Sequence, residues 1–256
     1  ARHRRGYGCT LVTPDHAPLF PFVAAADGTS THPISAHAAL APITHAAPAV
    51  HAGEKPALQS ALDTAFAEPP EGGRNTLAVI VRHRGEMVAE RYGAPVINTT
   101  PMQGWSMNKS LMASYVGVQV GGGLMDLSWP VKDRVEGLGV ASNITEGVAP
   151  EMTLKHLMTM ASGLDFDERY LPGDDVTEML YGGVPMWQVP LAQGQRVAPG
   201  EEFVYSSGDT NVVSYLWQST LADEAYVDWI DREVNQRLGL DDPLLEPDIS
   251  GVQVGS

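Results

Sequence analysis

The chain has one cysteine, Cys9, in 256 residues. No disulfide can form within it, and cysteine usage does not indicate a compartment. Basic residues are scarce: 16 Lys and Arg stand against 31 Asp and Glu, a formal net charge of −15. A phosphate backbone is gripped by clustered cations, so this balance argues against nucleic acid as a partner. No apolar run approaches about 18 residues, the length needed to cross a bilayer as a helix. Compact metal-ligand spacing is missing too: His32, His37, His45 and His51 are scattered and read as surface residues. Phosphate and dinucleotide glycine motifs are absent, and neither a metal nor a cofactor is expected. What remains is 43% apolar and only 18% charged, the composition of a packed globular protein. The length allows one large domain or two small ones.

The chain begins at Ala1. The expectation is of a periplasmic or exported protein whose leader, or a membrane anchor, precedes that residue; a cytoplasmic location is the alternative. Arg2-His3-Arg4-Arg5 reads as a solvated tail. Gly8-Cys9 lacks the apolar residues that a lipid-attachment site needs before its cysteine.

Residues 1–53 read as an extended arm, the stretch from residue 10 on being rich in Ala, Pro, His and Thr without periodicity. A helix is predicted over 56–66, with Leu58, Leu62 and Phe66 on one face. Residues 76–81 form a β-rich run, Arg82-His83-Arg84-Gly85 supplies a turn, and 86–92 pairs back as a hairpin. The next segment, 106–120, is apolar on nearly every face after Lys109, which predicts a helix in the middle of the protein, ended by Gly121-Gly122-Gly123. Further helices are predicted at 153–161, 175–181, 207–220 and 223–238, the last with Tyr226, Trp229, Ile230 and Val234 as its buried stripe. Strands first and helices after is an α+β layout, with an antiparallel sheet flanked by helices and a helical region over about 106–240.

Chemistry concentrates at Ser106-Met107-Asn108-Lys109. Residues i and i+3 share a helix face, so the Ser106 hydroxyl and the Lys109 amine can meet. A serine hydroxyl is a weak nucleophile until a neighbouring base takes its proton. Desolvation and the positive end of a helix both weaken a lysine's preference for charge, which suits it to that task. The helix start leaves backbone N–H groups unpaired, and that of Ser106 could face an oxyanion. Alone, Ser-x-x-Lys is weak, since a serine also caps helices. A second element is Phe203-Val204-Tyr205-Ser206-Ser207-Gly208-Asp209, which precedes an apolar helix. A tyrosine at such a turn can aim its hydroxyl into a cleft and relay a proton; as a packed residue with an exposed hydroxyl it would do nothing.

Taken together these segments resemble a known family. Gly104-Trp105-Ser106-Met107-Asn108-Lys109-Ser110, with Gly122-Gly123-Leu124-Met125-Asp126-Leu127 after it, resembles the first motif of class C β-lactamase-like serine hydrolases, the penicillin-recognising enzymes. Thr159-Met160-Ala161-Ser162-Gly163-Leu164 resembles their T-x-x-S-G-L signature, and Tyr205-Ser206-Ser207 their Tyr-x-Asn region, 99 residues after Ser106. The wording is most similar to 6-aminohexanoate-dimer hydrolase-like proteins and related esterases. The resemblance covers roughly 55–256 and implies acyl transfer: Ser106 attacks a small ester or amide, Lys109 and Tyr205 move protons, and water deacylates the enzyme. Trp105 and Trp187 are candidates for walling the acyl pocket, or for core packing. Ser207 is a candidate substrate contact, and Asp165, in Asp165-Phe166-Asp167-Glu168, a candidate selector of cationic substrates or part of a solvated loop.

Two departures shape the expectation. Ser207 stands where the family usually has Asn, which weighs against β-lactam turnover. The family's third motif, Lys/His/Trp-x-Gly on a sheet strand, does not occur in the 51 residues after Tyr205. Because that strand supplies much of the sheet and an oxyanion N–H, and two strands alone are marginal, a second polypeptide or a further C-terminal segment is expected to complete the sheet. The alternatives to an esterase or amidase are a β-lactamase or D-alanyl-D-alanine peptidase, and a catalytically silent ligand-binding relative.

Overall fold

The structure is a computed structural model, and it describes residues 2–4, 8–10, 55–222, 224–240 and 243–256. At the N-terminus β1 (Arg2–Arg4) pairs antiparallel with β2 (Gly8–Thr10). The rest of the expected arm, with His32, His37, His45 and His51, and residue 223 of the last predicted helix lie outside the described residues. Residues 55–103 and Gly104–Ser256 belong to two different compact units.

In the smaller unit, α1 (Pro56–Phe66) begins with proline at its first position, where the missing N–H costs nothing. Strands β3 (Ala78–His83) and β4 (Glu86–Tyr92) pair antiparallel. The turn is tighter than the sequence suggests: Arg82 and His83 still pair, and only Arg84 and Gly85 turn, both with positive φ. That two-residue geometry matches the twist of paired strands. Leu62 of α1 packs with Ala89 of β4, joined by Leu58, Val79 and Val81.

The larger unit is helical. A 3-10 turn at Trp105–Met107 leads into α2 (Asn108–Gly121). Then come α3 (Val131–Gly137), α4 (Ser142–Thr145), α5 (Leu154–Met158), α6 (Asp175–Tyr181), α7 (Gln188–Gln193) and α8 (Ser207–Gln218). Last are α9 (Tyr226–Ile230), a π turn over Asp231–Asn235 and α10 (Gln236–Leu238). Met112, Tyr115 and Val116 of α2 face α8, where Tyr115 meets Trp217 at 5.1 Å between ring centroids and Trp217 meets Trp229 of α9 at 5.3 Å. The predicted stripe of Tyr226, Trp229, Ile230 and Val234 is buried.

The central helix is α8, in which every residue from Ser207 to Trp217 is buried. This corrects the expectation for α2, which exposes Ala113, Ser114 and Gly117. Its outer face is made of small side chains, which raise apolar content while offering little area to bury. No helix among the described residues is long and apolar enough to cross a membrane.

Candidate active site

The Ser106 region starts with a strained residue. Trp105 has φ +44, a left-handed conformation that a bulky side chain seldom adopts. Such strain costs on the order of 1–3 kcal/mol and persists only where the surroundings impose it. It sets the direction of the next residue, Ser106, in the first turn of a helical stretch whose leading N–H groups have no partner within the helix. Asn108 secures this start by donating to the carbonyl of Val254 at 2.5 Å.

One turn on, Lys109 Nζ lies 3.0 Å from Ser106 Oγ and 2.9 Å from Ser207 Oγ. Two separate stretches of sequence thus converge on one ammonium. Tyr205 joins them through its ring, whose centroid is 4.9 Å from Lys109 Nζ. This is a cation–π contact, in which the ring face and not the hydroxyl meets the lysine. Ser207 opens α8, and Ser206 caps that helix by accepting the N–H of Asp209.

Behind Ser207 stands Glu168. The Ser207 hydroxyl donates to Glu168 Oε1 at 2.5 Å and its N–H to Oε2 at 2.7 Å. The Tyr170 hydroxyl donates to Oε1 at 2.9 Å. Burial, with the Glu168 carboxylate next, pushes the Tyr170 phenol above its ordinary pKa, so it stays a donor. The T-x-x-S-G-L segment is tied in through Ser162, whose hydroxyl donates to Asp209 Oδ1 at 2.8 Å. Gly163 there has φ +74, and a Cβ on it would fall 2.3 Å from the carbonyl of Val197.

Of the residues singled out in the sequence, Ser106, Lys109, Tyr205 and Ser207 come together. Trp105 is exposed beside Ser106. Trp187 is buried in the core and stacks on Tyr215 at 3.9 Å. Asp165 is exposed and pairs with Arg196 at 3.7 Å. Sequence reasoning placed Glu168 only within an acidic loop and gave Asp209 no role. A concavity of about 580 Å³, lined by Val120, Met125, Leu127, Trp129 and Arg134 among others, includes none of the cluster. One of about 420 Å³, lined by Pro172, Thr177, Glu178 and Tyr181, shares Tyr170 with it. Among the described residues no group of His, Cys, Asp and Glu is arranged to hold a metal ion.

The family model described as Beta-lactamase matches residues 60–254. This chain belongs to the Beta-lactamase family. The motifs at Ser106, Thr159 and Tyr205 pointed to that membership. Among solved structures, a putative 6-aminohexanoate-dimer hydrolase from Bacillus anthracis is 18% identical, with a TM-score of 0.51 over 69% of this chain and 46% of its own. It shares the Beta-lactamase-like fold. A D-stereospecific amidohydrolase from Streptomyces sp. is 18% identical, with a TM-score of 0.41 over 53% of this chain and 41% of its own. The chain spans less than half the length of either. No curated protein matches it significantly.

Proposed function

We propose that this Beta-lactamase-family chain is a serine hydrolase that cleaves small ester or amide bonds through an acyl-enzyme on Ser106. The observation that carries the reading is the placement of Lys109 Nζ within hydrogen-bond reach of both Ser106 Oγ and Ser207 Oγ. A lysine there can take the Ser106 proton as Oγ attacks the carbonyl, then pass a proton to the leaving group. Tyr205, against the same ammonium, is the second proton-transfer candidate. The N–H of Ser106 faces the developing oxyanion, and water completes the cycle by hydrolysing the ester on Ser106. Trp105, Met107 and Phe203 are exposed next to these residues in the sequence and offer apolar surface to an acyl chain. Ester or amide substrates are favoured over β-lactams because the Ser207 hydroxyl is already engaged by Lys109 and Glu168.

The test is labelling with a fluorophosphonate probe, read by intact mass and peptide mapping. One label at Ser106 is expected, with none in Ser106→Ala. Lys109→Ala should slow labelling by about 10²-fold or more, the usual scale of general-base catalysis, with an unchanged circular-dichroism spectrum. Absence of label at Ser106 in the intact protein refutes the reading and leaves the silent binder. Turnover of nitrophenyl butyrate without turnover of nitrocefin separates an esterase from a β-lactamase.

A further inference from the structure

We propose that Glu168 is a positioning residue for the reaction at Ser106 and the terminal acceptor of its proton, reached from Lys109 through the Ser207 hydroxyl. The proposal rests on the reading of Ser106 as the nucleophile. Four polar atoms form an unbroken line. From Ser106 Oγ to Lys109 Nζ is 3.0 Å, from there to Ser207 Oγ 2.9 Å, and on to Glu168 Oε1 2.5 Å.

The direction of each bond follows from donor chemistry. An ionised carboxylate only accepts, and an ammonium only donates. The Ser207 proton therefore points at Glu168, and its lone pairs face Lys109. The 2.5 Å separation is in the range of a charge-assisted O–H···O⁻ bond. Glu168 cannot swing away easily, because Oε2 takes the Ser207 N–H and Oε1 also takes the Tyr170 hydroxyl.

A lysine that donates to both serines cannot accept a proton until it has given one up. The line provides the outlet. An N–H bond of Lys109 breaks as an O–H bond forms on Ser207, while the original Ser207 O–H breaks and one forms on Glu168. Lys109 is then a neutral amine. As Ser106 Oγ bonds to the carbonyl carbon, its O–H breaks and the N–H on Lys109 re-forms. The net transfer is one proton from Ser106 to Glu168, with no change in total charge and no outside acid or base. When the tetrahedral species collapses, Lys109 protonates the leaving group, and the proton on Glu168 returns through Ser207.

The rival role is structural, a carboxylate bracing the start of α8. Dependence on pH separates the two. The titratable groups around Glu168 are Tyr170, which feels Tyr205 in turn, Lys109 across Ser207, and Asp209, whose carboxyl feels the Glu168 charge. Asp167 and Arg169 flank it in the chain, and Arg169 pairs with Asp167 and Asp174.

The experiment measures kcat and KM for nitrophenyl butyrate against pH in wild type, Glu168→Gln, Glu168→Asp, Ser207→Ala and the Glu168→Gln/Ser207→Ala double variant. Fluorophosphonate labelling and thermal melts run alongside. Glu168→Gln is expected to lower kcat about 10²-fold, to change KM less than about twofold, and to lose the acidic limb of the wild-type pH profile. Glu168→Asp should recover part of the rate with the limb restored. Ser207→Ala should match Glu168→Gln, and the double variant should be no slower than either, since both cut one line. The limb should persist in Asp209→Asn, which excludes Asp209 as its source. If wild type is labelled at Ser106 and Glu168→Gln keeps its rate and pH profile while melting earlier, Glu168 is only a brace and the proposal is overturned. If wild type takes no label, the nucleophile reading falls first and this proposal with it.

Discussion

Asp209 sits in the first turn of α8 with Oδ1 held by the hydroxyls of Ser162 and Ser206, while Oδ2 is buried without a hydrogen-bond partner among the described residues. Its residue is 1% exposed, and removal from water pushes the carboxyl up to about 7, the two serine bonds opposing the shift without cancelling it. The unfolded chain releases this proton near pH 4, the folded chain only near 7. Between those values the folded state holds more protons than the unfolded one, so folding stability falls as pH rises. The contribution is whole below about pH 4 and lost once pH passes 7. A shift of this size corresponds to at most about 4 kcal/mol at about 1.4 kcal/mol per pKa unit. Urea denaturation at pH 5 and pH 8 should show wild type less stable at pH 8. Asp209→Asn, which has no proton to lose, should flatten that difference, and an undiminished pH dependence in the variant would assign it to other groups.

At the scale of elements, α8 works as a spine with a polar stripe. Asn211, Ser214 and Gln218 lie along one side of it and bind the last residues of the chain. Asn211 Oδ1 takes the Gly255 N–H at 3.0 Å, Ser214 Oγ donates to the Gln253 carbonyl at 2.5 Å, and Gln218 Oε1 takes the Gln253 N–H at 2.9 Å. Approach this close requires glycine at 255, where a Cβ would stand 2.5 Å from the carbonyl of Thr210. Gly255→Ala should lift the segment off α8 and cost roughly 2–3 kcal/mol by urea denaturation, the usual scale of overpacking with lost buried hydrogen bonds. Unchanged stability would mean that the contact gives way freely. Elements with their own periodicity were legible from sequence: α1, the β3–β4 hairpin and the buried stripe of α9 follow from local pattern. Helices α3, α4 and α7, of 7, 4 and 6 residues, were not, although α5 and α6, of 5 and 7, were; segments this short carry little periodic signal of their own. The site divides in the same way. Ser106 and Lys109 are three apart, and helix geometry alone predicts their meeting. Tyr205 was suggested by its turn before an apolar helix, and it and Ser207 by family resemblance. Glu168 contacts Ser207 across 39 residues, a pairing created by tertiary packing that no spacing rule encodes.

Over the whole molecule, burial is unevenly shared. The core of the larger unit runs through α2, α5, α7, α8 and α9, with Tyr115, Trp217, Trp229 and Trp187 contributing aromatic area. In the smaller unit Leu62 and Ala89 form a cluster with Leu58, Val79 and Val81 only partly buried, and Tyr92 and Val96 are buried outside that cluster. A helix on a two-stranded hairpin has little apolar area with which to offset chain entropy. Its outer face mixes apolar and charged side chains, with Ile80 and Met87 exposed and paired across the strands with Glu90 and Arg82. One ion pair, Arg91 with Asp63 at 2.7 Å, links β4 to α1, and with Asp63 largely exposed, solvent screening leaves it little to contribute. Opening of the hairpin is therefore expected at far lower free energy than opening of α8, whose amides sit in a helix buried on all sides. Native-state hydrogen exchange by mass spectrometry should find peptides from Ala78–Tyr92 exchanging at least about 10²-fold faster than peptides from Ser207–Gln218, which corresponds to a gap of about 3 kcal/mol at 1.4 kcal/mol per decade. Equal protection in the two would mean that the hairpin draws its stability from more than the five side chains of its own cluster.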